Sequence, residues 1–152
     1  MTRVRLEGSY LNRAARERVY AVRTDFEAAP RYFPAVAKAA RIVSRAGNVL
    51  SVEVETKAFL ASKAFHVHME TTLEPGVGFV STNVSRPCVE HEVVRLEEVP
   101  EATRLVYCNE VEIRSRLLGL LGGFLVKRVA LRYWERAYVG RLREMLERGE
   151  DA

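Results

Sequence analysis

The segment from Arg116 to Arg148 constrains the fold more than any other part of the sequence. At about 100° per residue of a helix, one side collects the apolar residues Leu117, Leu120, Leu121, Phe124, Leu131, Trp134, Tyr138, Leu142 and Met145. The other side collects Arg132, Arg136, Arg143 and Glu147. We therefore predict one long C-terminal helix whose apolar stripe packs on a large apolar surface.

The first half of this segment, residues 117–126, is apolar all round and contains three glycines. Each glycine costs roughly 1 kcal/mol relative to alanine inside a helix. Two interpretations stay open: a tightly packed, fully buried helix start, or a flexible wall of a hydrophobic cavity. The run is also far shorter than the ~20 residues that span a bilayer.

Length and composition indicate a single domain over residues 1–152, because 48% of the residues are hydrophobic and supply one core. The first residues form no apolar signal region, so we expect a cytoplasmic protein. Cys88 and Cys108 lie in no C-x-x-C spacing. The strand register expected around the last predicted turn does not place them opposite each other. We predict two free thiols.

The charge balance is mild, with 24 Lys and Arg against 20 Asp and Glu and a net charge of +4. Such a small positive net charge does not indicate a strongly basic nucleic-acid-binding surface, and we expect no DNA partner. The densest basic run is Arg13, Arg16, Arg18 and Arg23. A solvated helix face is the first interpretation of this run, and attraction to RNA or to an anionic membrane surface is the alternative. Peripheral membrane contact and the oligomeric state stay open.

Changes of periodicity along the chain predict the order of elements. Arg3 to Leu11 alternate as a half-buried strand. Asn12 is a plausible N-cap for a helix through Thr24, and Asp25 for a short second helix from Phe26 to Tyr32. Two small helices are therefore expected after the first strand.

The middle of the chain alternates with period two and is divided by turn signals at 46–48, 75–76, 86–87 and 100–102. Five or six strands joined by short turns make an antiparallel meander. The fold class is α+β: a curved antiparallel sheet of about six to seven strands wrapped around the C-terminal helix. A sheet and one helix leave space between them, so we expect a cavity.

Two local motifs are similar to those of a known superfamily. The first follows the first predicted helix and comprises Val19-Tyr20, Asp25-Phe26-Glu27, Pro30-Arg31-Tyr32-Phe33-Pro34 and Val36. The second is the start of the last predicted strand, Ala102-Thr103-Arg104-Leu105-Val106-Tyr107, which precedes the glycine-rich start of the C-terminal helix. Across essentially its whole length the chain resembles the START-like, or Bet v 1-like (SRPBCC), helix-grip superfamily. The polyketide cyclase/dehydrase and coenzyme-Q-binding branches are the most similar.

The resemblance implies a cavity between the sheet and the C-terminal helix that takes lipids, isoprenoid quinones, polyketides or other apolar molecules. Members share no catalytic set, so the catalytic residues stay unknown, and no cofactor is implied. The positions that the resemblance places along the cavity are Phe65, Val67, Met69, Tyr107, Asn109, Val111, Leu117, Leu121, Phe124 and Leu125.

Histidines raise the question of a metal site. His66 and His68 have a spacing that can chelate a metal, and His91 could complete the site. However, the two histidines alternate with three apolar residues, and they face outward if those apolar residues face the core. We predict no metal site.

Four carboxylates, Glu90, Glu92, Glu110 and Glu112, lie on neighbouring predicted strands. We expect most of them on the convex, solvated face. A bulge near residues 86–87 would turn one or two inward, where burial raises a carboxyl pKa and suits it to acid–base catalysis.

Asn109 shares its alternation with Tyr107 and is therefore predicted to point inward. Either it is a core amide satisfied by Tyr107, or a ligand carbonyl provides a hydrogen-bond partner. Lys127 and Arg128 interrupt the apolar stripe of the helix; surface exposure is expected, with snorkelling from a cavity wall as the alternative.

Three functional hypotheses follow. The first is binding or transport of a hydrophobic small molecule in the cavity. The second is an enzyme of the aromatase/cyclase or dehydratase type, which would need inward titratable groups. The third is a ribosome- or RNA-associated module, which a contiguous arginine face and strongly salt-dependent RNA binding would favour.

Overall fold

A computed structural model describes residues 2–57, 65–114, 116, 120 and 123–148, without the side chains of 123–126. The strands are β1 (Thr2–Asn12), β2 (Ala37–Ala46), β3 (Val49–Thr56), β4 (Phe65–Glu74), β5 (Gly78–Ser85), β6 (Cys88–Val99) and β7 (Ala102–Ile113). Between β1 and β2 lie α1 (Arg16–Thr24), a 3₁₀ turn (Phe26–Ala28) and α2 (Ala29–Tyr32). The C-terminal helix comprises α3 (Gly123–Trp134), a π turn (Glu135–Gly140) and α4 (Arg141–Arg148).

The strands form one antiparallel sheet in the order β1-β7-β6-β5-β4-β3-β2. Strands β2 to β7 are a meander, and β1 pairs along its whole length with β7, from Thr2 opposite Ile113 to Asn12 opposite Thr103. Ladders β4–β5, β5–β6 and β6–β7 run without a register shift, whereas the β2–β3 ladder has two irregularities. The predicted helix-grip architecture is confirmed, with short helices after the first strand and a long helix at the end.

Local alternation explains why these segments are strands. In β7, Leu105 and Tyr107 are buried and Arg104 is exposed, and in β6 Val94 and Leu96 are buried on either side of exposed Arg95. The inward side chains at every second position form one core with the helices, because successive Cβ atoms of a strand point to opposite faces. The sheet therefore presents one continuous inner face.

The two short helices begin differently from the prediction. Asn12 does not cap α1: it is the last residue of β1 and only 1% exposed, and Ala15 precedes the helix without a side-chain cap. Strand pairing with Thr103 holds Asn12 in β1, which outweighs its capping preference. Asp25 also makes no cap; its carboxylate accepts a hydrogen bond from the Tyr32 hydroxyl at 3.3 Å.

The C-terminal helix is continuous from Gly123 to Arg148, and its predicted stripe is largely correct. Trp134, Leu142 and Met145 are buried, and the four predicted polar positions are exposed. Leu120, however, is 84% exposed. A π turn places more residues in each turn than an α-helix does, so Glu135–Gly140 shifts the angular phase. Trp134 and Leu131 nevertheless precede this turn and still pack in or against the core, so the turn does not account for the exposure of Leu120.

Two further predictions bear on chemistry. Cys88 and Cys108 are both free and half-buried, as predicted. Lys127 and Arg128 are exposed. Within the part of the chain that the structure describes, no helix has the length and apolar character needed to cross a membrane.

Candidate functional site

Polar side chains occupy the inner face of the sheet across four neighbouring strands. The register places Asn109 opposite Glu92, Glu92 opposite Ser81, and Ser81 opposite Thr71, one row running across β7, β6, β5 and β4. We call this group the interior polar cluster; its members are Thr71, Ser81, Asn83, Glu90, Glu92, Tyr107, Asn109 and, from α1, Arg23. Most of an inner face is normally apolar, so such a row calls for a reason.

One half of the cluster is a hydrogen-bonded chain. The Thr71 and Ser81 hydroxyl oxygens are 2.8 Å apart, and Ser81 donates to Asn83 Oδ1 at 2.6 Å. Asn83 Nδ2 in turn donates to Glu92 Oε2 at 3.2 Å. Thr71, Ser81 and Asn83 are all buried. This series of hydrogen bonds ends at the Glu92 carboxylate, which is its final acceptor.

The other half surrounds Asn109, which is 3% exposed. Its Nδ2 donates to Glu90 Oε2 at 3.1 Å and to the Tyr107 hydroxyl at 3.0 Å. The Tyr107 ring stacks on Trp134 of the C-terminal helix, with centroids 3.8 Å apart and planes 19° apart. The helix therefore covers this half of the cluster with an aromatic ring.

The expectation for the four carboxylates is right for two and wrong for two. Glu110 and Glu112 face outward, near Arg5 and Arg3 of β1 respectively. Glu90 and Glu92 face inward, and no bulge is needed to turn them, because β6 runs regularly from Cys88 to Val99. The signal was present in the sequence: both are an even number of positions from buried Val94.

Arg23 is the site residue that sequence reasoning missed. Instead of lying on a solvated face, it is 8% exposed, and its Nη2 lies 3.7 Å from Glu92 Oε1. Its guanidinium carbon is 5.0 Å from the Tyr138 ring centroid, 5.6 Å from that of Phe79 and 5.8 Å from that of Phe33, a cation–π environment. The available signal was its spacing of four residues from buried Val19, which puts both on one helix face.

Two other arginines of the basic run also contact the protein. Arg16 Nε lies 3.6 Å from a Glu98 carboxylate oxygen, and Arg18 Nη1 donates to the Leu146 carbonyl at 3.3 Å. Because Arg23 is buried, it does not contribute to a contiguous arginine face, which is the feature that would favour the RNA hypothesis.

Burial dominates the electrostatics of the cluster. It raises the pKa of the Glu92 carboxyl; the Arg23 charge opposes this rise and the Glu90 charge adds to it. Burial likewise raises the pKa values of Tyr107 and Tyr138. Both phenols therefore keep their protons at neutral pH and can act as hydrogen-bond donors.

Some buried polar atoms of the cluster have no partner among the described residues. They are Asn109 Oδ1 and Arg23 Nε. Buried polar groups in proteins are nearly always hydrogen-bonded, so each such atom needs an explanation. Both belong to residues that adjoin Glu92, one across the β6–β7 ladder and one through the ion pair.

The predicted lining positions divide into three groups. Tyr107 and Asn109 are buried on the inner face and belong to the cluster. Phe65, Val67, Met69 and Val111 are half-buried, and the last three pack against the core. Leu117 and Leu121, and the side chains of Phe124 and Leu125, lie outside the described part of the chain. Contact of these positions with a ligand stays a prediction.

The histidines of β4 lie apart from this cluster. His68 is held between two carboxylates, Glu53 and Glu70, each 2.6 Å from one ring nitrogen, and His66 is exposed. Hydrogen bonds to both carboxylates raise the His68 pKa. In the residues with described positions, no group of three or more His, Cys, Asp or Glu side chains is arranged to hold a metal ion.

Comparison with known proteins adds a family match. A family model described as "Polyketide cyclase / dehydrase and lipid transport" matches residues 13–135. Among curated proteins, none is significantly similar in sequence.

Solved structures share the fold at low sequence identity. A START superfamily protein from Mycobacterium smegmatis has a TM-score of 0.80 at 15% identity, over 95% of this chain and 97% of its own. A protein from Thermus thermophilus has a TM-score of 0.81 at 18% identity, over 97% and 99%. The Zhui aromatase/cyclase from a Streptomyces species has a TM-score of 0.78 at 16% identity, over 99% and 98%.

Proposed function

Because the chain belongs to the polyketide cyclase / dehydrase and lipid transport family, we propose that it binds an apolar small molecule between the inner face of the sheet and the C-terminal helix. The ligand class is a lipid, an isoprenoid quinone or a polyketide-like molecule. The observation that carries the proposal is the interior polar cluster, where two buried polar atoms have no partner among the described residues beside a largely apolar core.

The composition of this interior matches what small-molecule sites need. Such sites are mainly apolar and aromatic, and a few polar groups fix the orientation of the ligand. Here Trp134, Phe79 and Phe33 supply aromatic surface beside the cluster. A purely hydrocarbon ligand would leave the polar atoms unpaired, which is costly. A ligand with several oxygen atoms, such as a quinone or a polyketide, therefore suits the cluster better than a plain acyl chain.

The proposal is tested first by native mass spectrometry of the purified protein and organic extraction of whatever is bound. We expect one ligand per chain, or, for an empty protein, thermal stabilisation by quinones or polyhydroxylated aromatics. At a ligand concentration of 100 Kd the stabilisation is about 2.7 kcal/mol. The matched control is Glu110→Gln, on the outer face of β7, which leaves binding unchanged. An empty protein that responds to no quinone, fatty acid or aromatic polyketide contradicts the proposal.

A second candidate function is an enzyme of the cyclase or dehydratase type. The observation that favours it is the presence of Glu90, Glu92 and Tyr107 in one cluster, because acid–base catalysis needs titratable groups beside the substrate. Burial raises the Glu92 pKa, as suits a general acid.

Mutation separates the two candidates. In an enzyme, Glu92→Gln abolishes cyclisation of a poly-β-ketone analogue but retains binding, because the amide keeps a similar shape and cannot transfer the proton. In a binding protein, no turnover of the analogue is seen with either form, while both bind it. Product formation is followed by liquid chromatography and mass spectrometry.

A further inference from the structure

Asn109 has hydrogen-bonding capacity that no described residue uses. Both hydrogens of its amide nitrogen are engaged, one by Glu90 Oε2 at 3.1 Å and one by the Tyr107 hydroxyl at 3.0 Å. Its oxygen is buried and has no partner among the described residues. Turning the amide over would place this oxygen against the Glu90 carboxylate, which has no hydrogen to donate, so the present orientation is favoured.

Tyr107 has the complementary unused group. Its hydroxyl oxygen accepts the hydrogen bond from Asn109, and no described residue accepts its own hydrogen. Burial raises the pKa of this phenol, so the hydrogen is retained. The ring is fixed by stacking on Trp134. One donor and one acceptor without described partners thus belong to two residues that already contact each other.

We propose that Asn109 and Tyr107 recognise a hydroxyl group of the bound molecule. The ligand oxygen accepts a hydrogen bond from the Tyr107 hydroxyl, and the ligand hydrogen is donated to Asn109 Oδ1. This inference rests on the proposed binding function and makes it more specific: the ligand is an alcohol, a phenol or an enol on an apolar skeleton.

Other functional groups fit this pair less well. A carbonyl or ether oxygen accepts from Tyr107 but leaves Asn109 Oδ1 unpaired, and an N–H group without a lone pair satisfies only Asn109. A hydroxyl both donates and accepts. Sites that hydrogen-bond a substrate hydroxyl discriminate strongly against analogues that lack it, because their own polar groups are then left unpaired.

Aromatic side chains surround this pair and hold it in place. Trp134 lies against the Tyr107 ring, and Tyr10 approaches Trp134 with a centroid distance of 5.4 Å. The neighbours of Tyr107 in the two ladders are Gly8 of β1 and Val94 of β6. These contacts fix the position of the Tyr107 hydroxyl, and they do not by themselves distinguish a phenol from an alcohol or an enol.

The experiment compares three probes that differ at one position: anthraquinone, 2-hydroxyanthraquinone and 2-methoxyanthraquinone. Binding to the full chain is measured by calorimetry and by quenching of the single tryptophan. We expect the hydroxyl compound to bind at least about tenfold more tightly than the methoxy compound. Equal affinities overturn the inference, because the site then does not distinguish a hydroxyl group from its methyl ether.

Two variants test whether Tyr107 and Asn109 cause the preference for the hydroxyl compound over the methoxy compound. Tyr107→Phe removes only the donor and keeps the ring on Trp134, and Asn109→Ala removes the acceptor. Each is expected to reduce the hydroxyl preference to less than about threefold, whereas Glu110→Gln retains it. Thermal melts and far-ultraviolet circular dichroism establish that the variants fold. A preference that persists in both variants overturns the assignment of these residues.

Failure of this inference is distinguishable from failure of the proposed function. If all three probes bind equally, the protein binds apolar molecules but does not recognise a hydroxyl group. If none binds and organic extraction yields a ligand without a hydroxyl group, the inference is wrong while the binding function stands. If none binds and extraction yields nothing, both fail.

Discussion

Arg23 of α1 and Glu92 of β6 form an ion pair inside the protein. Nη2 and Oε1 are 3.7 Å apart, and the two side chains are only 7% and 11% exposed. Taking two charges out of water is costly, and their attraction offsets this cost only together with further contacts. Here Asn83 binds the carboxylate, and aromatic rings surround the guanidinium. The pair therefore connects the first helix to the inner face of the sheet.

Removing one partner of this pair is expected to destabilise the fold. Arg23→Met leaves the Glu92 carboxylate buried without its cation, and the free energy of unfolding falls by about 3–5 kcal/mol. Adding Glu92→Gln to that variant recovers part of the loss, because the isolated charge is then absent. Urea denaturation measures both changes, with exposed Arg132→Met as the control. If Arg23→Met alone is as stable as the wild type, the proposed coupling of Arg23 and Glu92 is wrong.

Ionisation of Glu92 gives the stability a specific pH dependence. Its pKa is raised above 4.5 in the folded state, mainly by burial, so the folded state holds this proton more tightly than the unfolded state. The contribution is fully present below the unfolded pKa and is lost as the pH rises through the folded pKa. We expect wild type to lose stability relative to Glu92→Gln as the pH rises above 4.5. Denaturation at a series of pH values tests this expectation. If wild type instead gains stability relative to Glu92→Gln as the pH rises, the Arg23 charge outweighs burial in setting the Glu92 pKa.

His68 on the outer face is expected to titrate above its ordinary range. Hydrogen bonds to Glu53 and Glu70 raise its pKa from 6.5, so stability from this group is present below 6.5 and lost as the pH rises through the folded pKa. NMR titration of the imidazole measures the pKa directly. Glu70→Gln lowers it, because one anionic acceptor is removed, whereas Glu55→Gln, which leaves both contacts intact, does not. An unchanged value in Glu70→Gln contradicts the bridging geometry.

The stacked pair of Trp134 and Tyr107 is expected to anchor the C-terminal helix. Trp134→Ala removes a buried ring and lowers the free energy of unfolding by about 3–5 kcal/mol. Trp134→Phe keeps an aromatic partner for Tyr107 and costs less. Chemical denaturation followed by circular dichroism measures the difference, and Val129→Ala, at an exposed helix position, is the control. Equal losses for Trp134→Ala and Val129→Ala would falsify the anchoring role.

Much of the inner face could be predicted because strand periodicity is a local property. Alternation with Leu105 places Tyr107 and Asn109 inward, and both are buried. The same rule applied to Glu92 would also have been correct, since Val94 lies two residues later. The chemical expectation that carboxylates face solvent outweighed the periodicity there. A carboxylate at an inward position is therefore itself a signal of a site.

The helix at the C-terminus shows where local periodicity ends. A constant pitch predicts the buried positions Leu142 and Met145 correctly. It is wrong at Leu120, which is 84% exposed. The hydrophobic pattern also does not reveal the π turn from Glu135 to Gly140, because packing against the rest of the fold decides whether a helix accommodates an extra residue.

The order of the elements, the antiparallel meander and the inward faces of the strands can all be read from the chain, because turn residues and side-chain periodicity act between near neighbours. Which polar groups meet depends instead on how distant elements pack. Arg23 lies on a helix that local pattern describes as basic and solvated, and it is buried because α1 docks over β6 and β7. A buried charge is stable only beside a partner that is remote in the chain, and the fold supplies Glu92.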